Sequence, residues 1–320
     1  MEKYHSDPRY RSLLHKAVRR GNLELVLTTS ALLQNFGSKE KKWYTGRALI
    51  LTFEECWPLG AELVFKRRYH SKVAALVKLT QAQKAKDAAG LGSLAYALSK
   101  GDRSVLTGLP DDKHIRLITK ALGRPDDFWD WIRFRAKADN HSILLENATR
   151  IKKSGYPWEK AFLLAGAYLG IVEGVPDIRQ SMPSDSPFPY WIALDQQTPQ
   201  GRRVLRDIAR DLHIELPQLI WTCFYFEGSV TNSSLPSKWW QMACDWRFRK
   251  VGLRSEEAHL LWEPAKIQVM EALADDSRQL HNDLYSWKLA NLEQVELLKK
   301  QVELYINRFD GKKGDQLELF

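Results

Sequence analysis

Apolar residues recur three and four positions apart along most of the chain, as in Leu13, Leu14 and Ala17, then Leu23, Leu25 and Val26, then Leu32 and Leu33. That spacing lays an apolar stripe along one side of a 3.6-residue period, which predicts amphipathic helices. Glycines and prolines interrupt the pattern at Gly21, Gly90, Gly101, Gly123 with Pro125, Gly155 with Pro157, and Gly174 with Pro176. They divide the chain up to residue 175 into short helical hairpins. Between 174 and 200 the pattern fails, because Pro176, Pro183, Pro187, Pro189 and Pro199 remove the donors a helix needs. This stretch reads as a proline-rich irregular connection, with Phe188 to Leu194 extended and buried. A helix restarts near Pro199 and sets Arg203, Arg206 and Arg210 on one face. From Glu256 to Phe309, apolar positions such as Leu273, Leu280, Leu284, Val295, Leu298 and Val302 predict long antiparallel helices. The expected fold class is all-α. Its expected organisation is a basic helical domain at 1–175, a second helical region at 176–310 packed on it, and a flexible tail at 311–320.

Composition supports a folded protein: 44% of residues are hydrophobic, with 18 Gly and 13 Pro, enough apolar surface for a substantial core. No apolar run is long enough to cross a bilayer, and Met1 to Tyr10 lacks the apolar stretch of a signal peptide. No membrane partner and a cytoplasmic location are expected. Cys56, Cys223 and Cys244 are too far apart in sequence for a zinc motif and too few for a disulfide framework.

Charge is unevenly distributed. The net charge is +9, yet residues 1–100 carry 18 Lys and Arg against 8 Asp and Glu, a net of +10. Such a segment inside an otherwise balanced chain predicts a phosphate-contacting surface, and hence DNA as partner. Arg19, Arg20, Lys66, Arg67, Arg68 and Lys72 are the expected contacts, with Arg203 added from the later helix.

Glycine-rich phosphate loops, dinucleotide fingerprints and zinc-ligand spacings are all missing from the sequence. No cofactor or metal site is predicted. The chain holds 12 Trp, 11 Tyr and 12 Phe. Most must be core, but Tyr190, Trp191, Trp239 and Trp240 flank loops and are candidates for stacking on unpaired bases. Asp195 follows the apolar run Trp191 to Leu194 and precedes Gln196, Gln197 and Thr198. A carboxylate so placed can activate water or stabilise a positive sugar. It can equally cap the helix near Pro199, a task Thr198 can also perform. Glu54 and Glu55, embedded between Phe53 and Cys56, are the alternative carboxylates. One of them must lie near an apolar face, with Arg47 as a possible ion-pair partner.

The last five residues are Gln316, Leu317, Glu318, Leu319 and Phe320. They resemble the Q-L-x-L-F motif by which bacterial polymerases and repair proteins dock on the sliding clamp. The resemblance implies that Gln316, Leu317, Leu319 and Phe320 contact that clamp through an extended segment. At the other end, Tyr10 to Gly21, with Trp43 and Arg47 to Cys56, resembles the helical C-terminal region of RarA-type, clamp-loader-like AAA+ ATPases. Asp195 to Gly201 also resembles an element of such chains, with Gln197 where they carry histidine. This covers about a fifth of the chain and implies a helical scaffold and a DNA setting, without the ATPase core. Taken whole, the chain resembles bacterial anti-phage DNA glycosylases that excise modified cytosines. That resemblance implies hydrolysis of an N-glycosidic bond in phage DNA, with glucosylated hydroxymethylcytosine among the bases removed. The competing expectation is a non-catalytic adaptor for DNA and clamp.

Overall fold

The computed structural model describes residues 7–63, 68–107, 112–135, 139–150, 157–182 and 186–310. Lys66, Arg67 and the tail residues Gln316, Leu317, Leu319 and Phe320 lie outside the described residues. The described residues form fifteen α-helices and no β-strand, the all-α class expected from the 3.6-residue period.

Asp7 and Asn22 cap the first two helices, α1 (Pro8–Arg19) and α2 (Leu23–Asn35), each accepting a hydrogen bond from a first-turn backbone N–H. Gly21, at a φ of +73°, makes the tight turn between them. Next come α3 (Ser38–Glu55), α4 (Tyr69–Gln81) and α5 (Asp87–Ser99). Gly90 lies inside α5 and does not end a helix, contrary to the sequence expectation. Its bare Cα lets the backbone at Trp239 and Trp240 cross so closely that any Cβ would collide with it. With Ala88, Ala89, Leu91, Gly92, Leu94 and Ala95 also buried, α5 is the central helix. It packs on α6 (Lys113–Gly123), α9 (Pro157–Val172) and α12 (Lys238–Lys250). Two further helices, α7 (Pro125–Arg135) and α8 (Asp139–Arg150), lean on α9.

The segment Ala82–Lys86, between α4 and α5, joins distant parts of the chain through its backbone. It donates hydrogen bonds to the carbonyls of Glu55, Arg179 and Ser233 and accepts from the N–H groups of Trp57 and Leu235. The Lys84 ammonium is buried, donating to the carbonyls of Leu79, Thr80 and Ala82, and burial pushes its pKa down to about 8. The proline-rich connection is irregular as expected, but Tyr190–Ala193 is a short 3-10 turn where an extended segment was predicted. Trp191, Ile192 and Ala193 are buried within it.

After that turn come α10 (Pro199–Asp211), α11 (Leu216–Cys223), α12, α13 (Ser255–Ala272), α14 (Ala274–Ala290) and α15 (Leu292–Asp310). The late helices return to the early ones: α14 packs on α2, and α15 on α2 and α4. One contiguous apolar cluster therefore runs from Tyr10 to Val302. No described helix is long and apolar enough to cross a membrane.

Candidate functional site

Helix α1 places cations inside the protein. Its inner face carries Leu13, Leu14, Ala17 and Val18, each without exposure, and Lys16 and Arg19 flank that face at 3% and 4%. Cations so buried need counter-charges. Arg19 Nη2 donates to Glu54 at 2.8 Å, its Nε to Glu55 at 2.5 Å, and its Nη1 to the Gly228 carbonyl at 2.8 Å. The Lys86 ammonium lies 3.0 Å from Glu55 and 4.5 Å from the Trp240 ring centroid. Lys16 pairs with Asp195 and donates to the Ser12 hydroxyl.

The two adjacent glutamates are driven apart. Burial opposes charge on Glu55, but Arg19 and Lys86 together hold its carboxyl down to about 2. Burial raises the Glu54 carboxyl above its ordinary value despite Arg19, and the Glu55 charge adds to that rise. Glu55 is therefore the counter-ion that lets Arg19 and Lys86 be buried, whereas Glu54 is the more readily protonated carboxyl.

Glu54, Asp195, Lys16 and Arg19 open onto a cavity of about 780 Å³. Its wall includes seven Lys and Arg against four Asp and Glu, a net of +3, and carries Trp43, Trp221, Phe224, Tyr225, Trp240 and Trp246. Phe224–Gly228 is one turn of π-helix that directly continues α11. The wider turn brings Phe224, Tyr225 and Glu227 to the wall together with the Gly228 carbonyl used by Arg19. Glu227 is held by Arg20 at 3.1 Å and Lys266 at 2.6 Å. His15 stacks on Trp43 at 5.8 Å between centroids. Burial and the nearby Arg47, Arg19 and Lys16 lower its pKa well below the ordinary value, leaving a neutral imidazole at pH 7. The Cys223 thiol is pushed up to about 12 by burial, so it is not a ready nucleophile.

The Asp195 loop is fixed from both sides. Its Oδ1 accepts from the Gln197 N–H at 2.8 Å, while Thr198 caps α10 by accepting from the Gly201 N–H at 3.0 Å. Asp195 is thus not the cap of this helix. Gly201 sits so close beneath the loop that a Cβ there would meet the carbonyls of Leu194 and Asp195.

Several expected site residues lie elsewhere. Glu55 is wholly buried and absent from the cavity wall. Of the four aromatic candidates, Trp240 lines the cavity, Trp191 and Trp239 are core at 8% and 1%, and Tyr190 packs on His281. Arg47 pairs with Glu159 at 2.7 Å instead of with the Glu54–Glu55 pair. Of the five expected basic contacts among the described residues, three are buried or engaged in the fold. Arg19 is buried, Arg20 is tied to Glu227, and Lys72 is 6% exposed, while Arg68 and Arg203 remain outside. Among the described residues of this segment, Lys16, Arg20 and Arg47 meet carboxylates distant in sequence, while Arg19 and Lys86 meet Glu54 and Glu55. Sequence reasoning missed Lys16, Lys86, the π-turn and Arg247. Only the turn left a signal, the run Phe224, Tyr225, Phe226 before Glu227 and Gly228. Comparison with protein families, with curated proteins and with solved structures returns no match for this chain.

Proposed function

We propose that this protein is a DNA glycosylase that receives an extruded base in the cavity and hydrolyses its N-glycosidic bond. The observation that carries the reading is a pair of cavity carboxylates in unlike surroundings: Asp195 held by Lys16, and Glu54 raised by burial beside Arg19. Departure of a base leaves positive charge on the sugar, which one carboxylate can stabilise while the other supplies a proton. In this reading the bond from the sugar to the base breaks with its electron pair going to the base, which takes a proton from Glu54. Water attacks the sugar carbon and gives its proton to Asp195. The aromatic wall stacks on the base and excludes bulk water. Outside the cavity, α10 begins four residues after Asp195 and exposes Arg202, Arg203, Arg206 and Arg210, a row suited to a phosphate backbone. Modified cytosines of phage DNA, glucosylated hydroxymethylcytosine among them, are the proposed substrates, and docking of the tail on the sliding clamp is the proposed link to replicating DNA.

Incubation with ordinary and with phage-modified DNA, followed by alkali and a denaturing gel, tests the reading. Alkali-dependent breaks are expected. Asp195→Asn should form them at least about 100-fold more slowly with DNA affinity retained. Intact DNA of every kind would remove the enzyme and leave the adaptor for DNA and clamp.

A further inference from the structure

Arg247, on α12, is a cation of the cavity wall that the ion pairs among the described residues leave out. Lys16, Arg19 and Arg47 each reach a carboxylate. Among the described residues no carboxylate pairs with Arg247, and its Nε is buried without a hydrogen-bond partner. Its guanidinium carbon instead lies 4.1 Å from the Trp221 ring centroid and 4.2 Å from that of Trp246. Trp246 is held by a hydrogen bond from its Nε1 to Ser104, and Trp221 packs edge-on against Phe224. The side-chain partner of Arg247 is Tyr225, a phenol whose pKa burial raises, so it supplies no negative charge. Asp102, the acidic group that influences Arg247, is taken by Lys250 at 3.0 Å and by Ser104. A guanidinium flanked by two indoles, with only the Tyr225 phenol as side-chain partner, keeps its remaining in-plane N–H groups for one kind of ligand, an anion that accepts two parallel hydrogen bonds.

We propose that Arg247, clamped by Trp221 and Trp246 with Lys250 beside it, is an oxyanion subsite that takes a phosphate of the nucleotide whose base enters the cavity. The identity of that phosphate rests on the nucleotide reading above; the subsite itself rests on the stacked guanidinium, which has no carboxylate counter-ion among the described residues. Arg247 is then a binding group that anchors the substrate within the same cavity as Glu54 and Asp195.

The test is titration of the full chain by tryptophan fluorescence, to which Trp221 and Trp246 contribute among 12 tryptophans, using dCMP, deoxycytidine and inorganic phosphate. Wild type should bind dCMP at least about 10-fold more tightly than deoxycytidine, the scale of a charge-assisted bidentate contact. Arg247→Gln should bind the two alike. Arg247→Lys keeps the charge but not the planar fork, so it should recover only part of the preference, and it carries the comparison if the glutamine variant unfolds on melting. No preference in wild type, or an undiminished one in Arg247→Gln, overturns the subsite. Inorganic phosphate binding as tightly as dCMP would make it a site for free oxyanions and overturn the nucleotide assignment. The excision assay is read separately. A phosphate preference without abasic sites would keep the subsite and remove the glycosylase, and excision without the preference would do the reverse.

Discussion

Arg19 shows how one residue changes meaning between sequence and structure. In the sequence it is half of an Arg-Arg pair before a glycine, the pattern of an exposed phosphate contact. In the fold it is 4% exposed and held by Glu54, Glu55 and a main-chain carbonyl. Removing one member of such a network leaves a buried charge uncompensated, so Glu55→Gln should lower stability by about 3–5 kcal/mol, read by urea unfolding at pH 7. A change under about 1 kcal/mol, the scale of an exposed pair, would show the network to be weak. The pH dependence has a definite sign. Glu55 falls from the ordinary 4.5 to about 2 in the folded state, so its contribution is complete above pH 4.5. It is lost as pH falls from 4.5 through about 2. Glu55→Gln should flatten that part of the wild-type acid-unfolding curve.

Among the elements, Pro125, Pro157 and Pro199 and most of the glycines marked where helices start and stop, because φ restriction and missing donors act locally, whereas Pro264 lies inside α13. Gly90 and Gly201 did not obey that logic, since their role is to let another segment of backbone approach. Helix α10 was legible from Pro199 and its arginine spacing, and Thr198 as its cap was one of two readings. That the loop before it faces a cavity was not legible. Gly201→Ala tests how tightly helix and loop are coupled. A methyl there must push the Leu194 and Asp195 carbonyls away, so excision should fall by about 100-fold, the cost of about 1 Å of misplacement. Stability should drop by about 1–3 kcal/mol as in other overpacked sites, measured by thermal unfolding. Wild-type excision by a folded Gly201→Ala would separate the loop geometry from the chemistry. The π-turn at Phe224–Gly228 was invisible as backbone, because three aromatics and a glycine can end a helix in several ways.

At the scale of the whole molecule, Lys16, Arg19, Lys72, Lys84 and Lys86 of the basic segment are buried, and the described outer cations include the row on α10. If that row follows a DNA backbone, Arg203→Ala with Arg206→Ala should weaken binding alike for all sequences. It should also lower the slope of log K against log salt by about two, measured by fluorescence anisotropy. An unchanged slope would mean that these arginines contact no phosphate. The tail makes a separate prediction. Deleting Gln316 to Phe320 should abolish capture by a bacterial sliding clamp while leaving excision and unfolding unchanged. Equal capture of the intact and shortened chains would dismiss the motif.

By itself the sequence determined the helical class, the punctuation of the helices, the irregular connection after Gly174, and Asp195 and Glu54 as carboxylates of interest. These follow from local rules: a 3.6-residue apolar period, the geometry of glycine and proline, and acidic groups set beside apolar runs. Only the tertiary structure decided which charges meet. Lys16 finds Asp195 179 positions away, and Arg19 finds Gly228 209 positions away. It also assigned Glu55 to the interior and Glu54 to the cavity, kept three of the four candidate aromatics off the cavity wall, and left Arg247 between two indoles without a counter-ion. Whether a charge is solvated, paired or waiting for a ligand depends on groups brought near by packing, and no periodicity along the chain encodes those neighbours.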